Sequence, residues 1–349
     1  MAAPKQFGVA DIASFDTVVD VRSPAEFAED HIPGAINLPV LDNEERATVG
    51  TLYVKDSFEA RRVGASLVAA HLAEHLRGPE LSARPANWRP LVNCWRGGMR
   101  SGSMVQVMRM VGWDAQPLTG GYKSWRKHVI AQIDERAPRL LLRVLCGATG
   151  SAKTRVLQAL GRQGAQVLDL EEMARHKGSV LGGLPGEPQP TQKMFETRLV
   201  DAMGRLDPEQ PVYVEAESRK IGRVAVPTPL LERMRSAECI EIDAPRSARV
   251  DFLLRDYDWL TQDVDALVAL IEQLKGLQSN TTLERWIAWA RGRDFARLVD
   301  ELLELHYDPQ YGRSQRGNFL RLKEARRVPA AALGDADIEA VARAISGRP

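Results

Sequence analysis

Short apolar runs alternate with longer segments in which apolar residues recur every three or four positions. In the first 130 residues the runs are TVVDV from residue 17, AINL from residue 35 and RPLVN from residue 89. Such runs are typical of strands. Helical spacing appears at residues 57–76 and 101–111, with a short polar segment at 23–30. The pattern predicts strand, short helix and strand, then a long helix, a third strand and another helix.

A charged, proline-containing segment, DERAPR at residues 134–139, interrupts this pattern. We place a domain boundary there, with a first domain at 1–137 and a second at 138–349. A strand is predicted at 140–146 with a helix after it, and further parallel strands at 167–170 and 211–217. After Pro245 helical spacing dominates.

Composition limits the possible classes of protein. With 349 residues, 44% hydrophobic and 27% charged, the chain is long enough for two cored domains, and disorder is excluded. A net charge of +1 excludes a globally basic nucleic-acid coat, so an anionic partner needs a local patch. Three cysteines form neither a disulfide framework nor zinc spacing, and no apolar stretch is long enough for a membrane. We therefore expect a cytoplasmic protein without a membrane span.

The segment CWRGGMRS at residues 94–101 carries the first candidate chemistry. Its glycine-rich turn precedes a helix, so backbone N–H groups and the helix end favour an anion, and the same field favours Cys94 as a thiolate. A buried structural cysteine is the ordinary alternative. The predicted nucleophile is Cys94, and the predicted anion loop consists of Arg96, Gly97, Gly98, Arg100 and Ser101.

Three separated segments resemble the rhodanese family: DVRSPAEF with DHIPGAINLP from residue 20, the Cys94 loop, and LTGGYKSW from residue 118. The resemblance implies a parallel α/β sheet and a loop cysteine that carries sulfur or selenium as a persulfide or selenosulfide. Cys94 matches that position, so the resemblance implies that it is the selenium-carrying nucleophile. Asp20, Arg22, His31 and the pair Gly120-Gly121 also match, and we interpret them as structural. Cys94 and Arg100 span seven residues, as in dual-specificity phosphatase domains, which favours a phosphate-sized group such as selenophosphate.

The predicted strand at 140–146 leads into GATGSAKT at residues 147–154, which resembles the phosphate-binding P-loop. Gly147, Gly150 and Lys153 are expected to bind a diphosphate, and the Thr154 hydroxyl to reach Mg²⁺. The sequence departs from the pattern at Ala152, where the pattern has glycine. A Cβ there is expected to crowd the phosphates, which disfavours ordinary nucleotide binding.

Acidic residues follow the next two predicted strands. Asp169, Glu215 and Glu217 are candidate Mg²⁺-water ligands or proton carriers, with solvated strand-end acids as the equal alternative. The intervening segment 175–196 holds seven Gly or Pro residues and is predicted to be a mobile loop, either a lid or a plain connection.

The densest basic run, residues 311–327, is the first candidate for phosphate-backbone contacts, with a solvated helix face as the alternative. A second basic group follows Glu217. The candidate residues for phosphate-backbone contacts are Arg313, Arg316, Arg321, Lys323, Arg326 and Arg327 in the run, and Arg219, Lys220 and Arg223 in the second group.

The order of the two domains, with the segments DLE from residue 169, VEAESRKIG from 214 and HYDPQY from 306, resembles the tRNA 2-selenouridine synthase family. The resemblance implies a transferase that exchanges sulfur for selenium at C2 of wobble 2-thiouridine in a tRNA anticodon loop. It also implies selenophosphate and geranyl diphosphate as co-substrates, an S-geranyl intermediate, and a selenophosphate-producing enzyme as partner. The fold expected is a rhodanese-like domain followed by a P-loop α/β domain with a helical C-terminal extension.

Two alternatives stay open at this point. One is an ATP-dependent kinase or NTPase fused to a thiosulfate sulfurtransferase. The other is a non-enzymatic tRNA-binding module with a decayed P-loop, for which Ala152 is the only support.

Overall fold

The computed structural model describes residues 6–178, 182, 183 and 186–347, without the side chains of 259, 260 and 313–317. The chain forms two compact units. The first comprises residues 1–133 and 190–201, and the second comprises 134–189 and 202–349. No feature of the sequence indicated that segment 190–201 belongs to the first unit.

The first unit contains a four-stranded parallel sheet with the order β2-β1-β3-β4. Its strands are β1 (Thr17–Asp20), β2 (Ile36–Asn37), β3 (Pro90–Asn93) and β4 (Gln116–Pro117). Its helices are α1 (Pro24–Glu29), α2 (Asn43–Lys55), α3 (Ser57–Arg77), α4 (Pro79–Ser82), α5 (Met99–Val111) and α6 (Gly121–Arg136). A 3-10 turn at Val9–Ser14 precedes the sheet. The predicted strands and helices of this half are confirmed.

Burial explains why the loop between β3 and α5 has a fixed position. All four residues of β3 are buried, as a strand between two others in a helix-covered parallel sheet must be. On one face its Val92 shares a core with Val19, Met104 and Met108. The strand and the following helix α5 are therefore both fixed by the core, and the loop between them has anchored ends.

The second unit contains a five-stranded parallel sheet with the order β11-β10-β5-β7-β6 and a separate hairpin of β8 and β9. The strands are β5 (Leu141–Cys146), β6 (Gln166–Leu168), β7 (Pro211–Glu215), β8 (Lys220–Ile221), β9 (Val224–Ala225), β10 (Glu238–Asp243) and β11 (Arg326–Pro329). The central position of β5 puts the phosphate-loop motif at the middle of the carboxyl edge of the sheet, where open α/β folds bind ligands.

Helices cover this sheet and form the C-terminal region. They are α7 (Lys153–Arg162), α8 (Leu170–Ala174), α10 (Thr228–Arg235), α11 (Arg246–Asp256), α12 (Asp258–Gln262), α13 (Val264–Glu272), α14 (Asn280–Arg291), α15 (Phe295–Leu302), α16 (Asp308–Asn318) and α17 (Asp335–Ser346). Helix α9 (Gln192–Gly204) begins in segment 190–201, which belongs to the first unit. A π-helical turn, Leu303–Tyr307, joins α15 to α16. The expected P-loop domain with a helical C-terminus is confirmed, although strands β8, β9, β10 and β11 were not predicted.

The predicted loop at 175–196 is shorter than expected, because helix α9 begins at Gln192. No helix within the described ranges is long and apolar enough to cross a membrane.

Candidate functional site

The Cys94 loop places one sulfur atom among hydrogen-bond donors. Cys94 is buried, the Gly98 N–H donates to its Sγ at 3.2 Å, and the Ser101 Oγ lies 3.2 Å from the same atom. Burial by itself raises the pKa of the Cys94 thiol. The hydrogen bonds from the Ser101 hydroxyl and from the backbone of Ser101, Gly98 and Arg96 outweigh that effect and hold the pKa below its usual value. The loop therefore favours a thiolate.

The glycine pair at the start of α6 supports this loop from behind. Gly121 has φ +59°, and a Cβ there would lie 2.2 Å from the Cys94 carbonyl oxygen and 2.5 Å from the Gly97 nitrogen. The N–H of Tyr122 donates to the Cys94 carbonyl at 2.8 Å, and the N–H of Lys123 donates to the Trp95 carbonyl at 3.0 Å. The first backbone N–H groups of α6 thus bind two carbonyls of the Cys94 loop. At Gly121 the loop lies so close that only glycine fits.

The two loop arginines occupy different environments. Arg100 is mostly buried and makes a forked contact with Glu26 of α1, at 2.7 and 3.4 Å. Arg96 is exposed. In this structure Arg100 therefore contacts a carboxylate of the protein, whereas Arg96 carries the solvent-facing positive charge of the loop.

Asp20 and Arg22 form a buried pair with Nη2 and Oδ2 2.6 Å apart. Arg22 also donates to the Asp30 carbonyl at 2.7 Å and stacks on the ring of Tyr122. These bonds connect β1, the end of α1 and the start of α6, in keeping with a structural role.

The phosphate loop of the second unit runs from Gly147 to Ala152. Gly147 and Gly150 have φ +151° and +81°, and a Cβ on Gly150 would lie 2.8 Å from Leu253 Cδ1. Ala152 also adopts a left-handed conformation, with φ 58°. Its side chain is buried in the core that contains Val156 and Leu157. The alanine therefore accepts the backbone shape for which the motif normally uses glycine.

The polar groups of this loop contact one another and their surroundings. Lys153 Nζ donates to the Gly147 carbonyl at 2.9 Å, so its charge lies over the loop. Thr154 Oγ1 donates to Glu171 Oε2 at 2.7 Å. The Gly147 N–H donates to the Tyr311 hydroxyl of α16 at 2.6 Å. Sequence reasoning missed Glu171 and Tyr311, although both lie in the segments DLE and HYDPQY.

Carboxyl groups gather next to the phosphate loop. Glu215 is fully buried at the end of β7, and neither of its side-chain oxygens has a hydrogen-bond partner among the described residues. Glu171 and Glu217 approach each other at Gly178, where a Cβ would lie 2.7 Å from Glu171 Oε1 and 2.8 Å from Glu217 Oε1. Asp169 instead caps α8 by accepting from the Glu172 N–H at 2.8 Å.

This crowding changes the acidity of the group. Burial, and then the charge of Glu171, raise the pKa of Glu217 to about 8. Burial and the neighbouring carboxylates also raise the pKa of Glu215 well above its usual value. A carboxyl group with a pKa near 8 can exchange protons close to neutral pH, as acid–base catalysts do.

The residues next to the phosphate loop fit Mg²⁺ only in part. No group of three or more His, Cys, Asp or Glu within the described ranges has the arrangement of a metal site. Mg²⁺ commonly uses one or two protein oxygens with substrate phosphates and water. Thr154 and Glu171, 2.7 Å apart, are suited to that mode and would hold the ion together with a diphosphate.

The C-terminal segment is bound to the phosphate loop. Arg249 of α11 is buried, donates to the Thr149 carbonyl at 3.0 Å and makes a forked pair with Asp308, with both contacts at 2.8 Å. Together with Tyr311, this pair joins α16 to the loop. The segment HYDPQY therefore contributes to the phosphate site.

The two basic groups differ in how much of their charge is free. In the run, Arg321 pairs with Glu324 at 3.4 Å, Arg327 pairs with Glu241 at 3.1 Å, and Arg326 donates to carbonyls at the end of α17. Lys323 is exposed, and the side chains of Arg313 and Arg316 lie outside the described residues.

The hairpin residues differ from those of the run. In the hairpin, Arg219, Lys220 and Arg223 are exposed, and none of the three forms an ion pair with another described residue. Gln189 fixes the hairpin, since it accepts from the Arg223 N–H at 2.8 Å and donates to the Ile221 carbonyl at 3.0 Å. The hairpin therefore offers a small cationic surface.

Comparison with known proteins agrees with this architecture. Residues 8–128 match the family model of the rhodanese-like domain, and residues 141–284 match that of the tRNA 2-selenouridine synthase AAA domain. A protein named tRNA 2-selenouridine synthase from Nitrosomonas europaea is 38% identical over 258 residues, which cover 72% of this chain and 66% of that protein. The protein of the same name from Nitrosomonas eutropha is 40% identical over 251 residues, which cover 62% of that protein.

A longer alignment settles the family. The tRNA 2-selenouridine synthase of Aeromonas salmonicida is 32% identical over 335 residues, which cover 84% of this chain and 86% of that protein. The chain spans just under two thirds of the length of the Nitrosomonas relatives, but most of the Aeromonas one. On sequence and architecture together, the chain belongs to the tRNA 2-selenouridine synthase family.

Proposed function

We propose that this chain converts wobble 2-thiouridine of tRNA to 2-selenouridine through an S-geranyl intermediate, with geranyl diphosphate and selenophosphate as co-substrates. The observation that carries the proposal is the presence of two anion loops with different chemistry. One holds a thiolate-favouring cysteine, and the other holds a lysine beside carboxyl groups of raised pKa. A selenium nucleophile and a diphosphate leaving group need these two environments.

In the first step the phosphate loop binds geranyl diphosphate. The thione sulfur attacks C1 of the geranyl chain, the C1–O bond breaks, and diphosphate leaves with the electron pair. Lys153 and the loop amides stabilise the charge that develops on the leaving group. Mg²⁺ beside Thr154 and Glu171 would add charge stabilisation when bound. The proton lost from N3 of the base passes to the acid cluster, which consists of Glu171, Glu215 and Glu217. Within this cluster Glu217 has a pKa of about 8.

In the second step the alkylated sulfur departs. A selenium nucleophile attacks C2, the C2–S bond breaks, and geranylthiolate leaves. Cys94 mobilises selenium from selenophosphate: its thiolate attacks phosphorus, the P–Se bond breaks and releases hydrogen selenide ion, and water later hydrolyses the phosphorylated cysteine. This route needs no oxidant or reductant, and the phosphate-sized loop with its N–H donors suits the phosphoryl group.

The rhodanese resemblance implies a different adduct, a selenosulfide on Cys94. Forming it from selenophosphate, whose selenium is at the oxidation level of selenide, requires a two-electron oxidant. Releasing selenide from it then requires a thiol that reduces the S–Se bond and is itself oxidised. Intact-protein mass spectrometry after incubation with selenophosphate distinguishes the routes. A selenium isotope pattern identifies the selenosulfide, and its absence from a modified Cys94 identifies the phosphorylated form.

For tRNA the hairpin that carries Arg219, Lys220 and Arg223 is the better-supported surface, since its charges are exposed and unpaired in the described structure. An anticodon loop is already single-stranded, so binding energy comes chiefly from phosphate contacts. Replacing the three by alanine should flatten the slope of log K against log salt by about 2 units, at roughly 0.7 to 0.9 per contact. The matched control replaces Arg321, Lys323, Arg326 and Arg327. A slope that falls only in the control would move the surface to the basic run.

The decisive experiment combines the protein with thiolated tRNA, geranyl diphosphate and selenophosphate, followed by nucleoside mass spectrometry. We expect S-geranyl-2-thiouridine without selenophosphate and 2-selenouridine with it. ATP hydrolysis in the absence of RNA, with no modified nucleoside in either reaction, would instead indicate an NTPase fused to a sulfurtransferase.

A further inference from the structure

An apolar cavity opens beside the phosphate loop, within the second unit. Its volume is about 80 Å³, and it is open at its mouth. Helices α11, α13 and α15 and the π-helical turn surround it. Its lining includes Thr149, Leu253, Tyr257, Phe295, Val299 and Leu302.

The cavity is continuous with the phosphate loop through two residues. Thr149 belongs to the loop and also lines the cavity. Leu253 lines the cavity and lies 2.8 Å from the position that a Cβ on Gly150 would occupy. Arg249, one turn earlier on α11, donates to the Thr149 carbonyl at 3.0 Å and fixes the two parts together. A ligand whose anionic head lies in the loop therefore has an apolar space next to it.

The chemistry of the wall limits what that space can take. The lining residues are aliphatic, aromatic or hydroxyl-bearing, and none of those described carries a carboxylate, amide, imidazole or ammonium group. A nucleobase buried there would lose hydrogen bonds to water with few partners in exchange. A hydrocarbon chain loses none, and apolar cavities readily bind apolar molecules.

We propose that this cavity binds the prenyl chain of an allylic diphosphate whose diphosphate lies in the Gly147–Lys153 loop. The inference rests on the proposed function and adds the location of the chain and the basis of selection. The cavity makes the site specific for a diphosphate with a hydrocarbon tail and disfavours a nucleoside triphosphate.

The first test uses the wild-type protein and needs no variant. Calorimetry compares inorganic diphosphate, dimethylallyl diphosphate, geranyl diphosphate and ATP. Because each buried CH₂ is worth about 0.8 kcal/mol, geranyl diphosphate should bind roughly 10²-fold or more tightly than the five-carbon compound. Equal affinity for the two chain lengths, or tighter binding of ATP, would overturn the assignment.

The second test fills the cavity. Val299 is a half-buried lining residue, so Val299→Trp should weaken geranyl diphosphate at least tenfold and leave inorganic diphosphate unchanged. The control is Arg297→Trp on the same helix, whose side chain is 73% exposed and should change neither affinity. A folded Val299→Trp protein with wild-type affinity for geranyl diphosphate contradicts the cavity assignment.

Failure of this inference is distinguishable from failure of the proposed function. If the wild-type protein selects the longer chain but transfers nothing to thiolated tRNA, the cavity assignment stands and the proposed function is wrong. If it geranylates tRNA and Val299→Trp does so equally well at limiting geranyl diphosphate, only the cavity assignment is wrong.

Discussion

The Cys94 loop and the Gly147–Lys153 loop have the same local architecture and opposite electrostatic roles. Each follows a buried strand of a parallel sheet and precedes a helix. In the first, backbone and hydroxyl donors converge on a sulfur atom of the protein. In the second, the lysine contacts the loop itself, and carboxyl groups gather beside it. One loop stabilises an anion that belongs to the protein, and the other is suited to an anion that arrives and leaves.

The difference shows that the residue which precedes the helix does not by itself decide the chemistry. Gly98 precedes α5 and Ala152 precedes α7, and neither residue can cap its helix with a side-chain hydrogen bond. What separates the loops is their surroundings, because the start of α6 contacts the first and the acid cluster and α16 contact the second. Substitutions in and around each loop can therefore test the comparison.

The largest expected effect is a separation of the two half-reactions. Cys94→Ser should abolish 2-selenouridine while S-geranylated tRNA accumulates, because alkylation needs no thiolate. Lys153→Ala should lower geranyl transfer about 10²- to 10³-fold, as loss of one leaving-group contact does. Nucleoside mass spectrometry measures both, with Arg155→Ala on the same helix as control. Each half-reaction is measured with its own substrate, thiolated tRNA for geranylation and S-geranylated tRNA for selenation. If either variant lowers both rates equally, the two loops do not act separately.

The next effect is on stability. Gly121→Ala should destabilise the first unit by about 3 kcal/mol, because it forces a left-handed alanine whose Cβ meets the Cys94 carbonyl at 2.2 Å. Gly102→Ala is the matched control, since Gly102 lies within α5 with nothing inside 4 Å of its added Cβ. That control should be neutral or stabilising by about 1 kcal/mol. Equal denaturation midpoints for the two variants would argue against backbone support from α6.

A smaller effect concerns pH. Burial and Glu171 raise the pKa of Glu217 to about 8, so between pH 4.5 and 8 the folded state holds a proton that the unfolded state has lost. Glu217 thus lowers stability progressively as pH rises through this window. Glu217→Gln should remove up to about 1.4 kcal/mol per pH unit from that slope. Denaturant titrations at several pH values measure it, and an unchanged slope would mean that Glu217 is ionised in the folded protein.

The smallest effect is expected at Ala152. Ala152→Gly relieves a left-handed alanine, worth about 1 kcal/mol, but removes a methyl group from the core, worth about 0.8 kcal/mol. The two terms nearly cancel, so the free energy of unfolding should change by less than about 1 kcal/mol. Geranyl transfer should also persist in both forms. Activity that appears only with glycine would identify the natural loop as impaired and would favour a module without catalysis.

Much of the fold was predictable because its signals are local. Strands such as β3 and β5 have short apolar runs, which only Arg143 interrupts in β5, and amphipathic helices such as α3 show their spacing directly. Strand β11 was missed because its sequence, RRVP, has only one buried residue. Its strand conformation comes from pairing with β10 across a long separation in sequence.

For the site, the sequence alone determined the residue types and the order of the two loops. In the first loop a cysteine precedes the glycines, and in the second a lysine and a threonine follow the glycines. Only the tertiary structure decided which groups face these loops. Glu26 on Arg100, Glu171 on Thr154, Tyr311 on Gly147 and the apolar wall beside Thr149 all come from distant segments. Charge, burial and acidity depend on distances in space, so residues far apart in the chain set them once the core has brought its elements together.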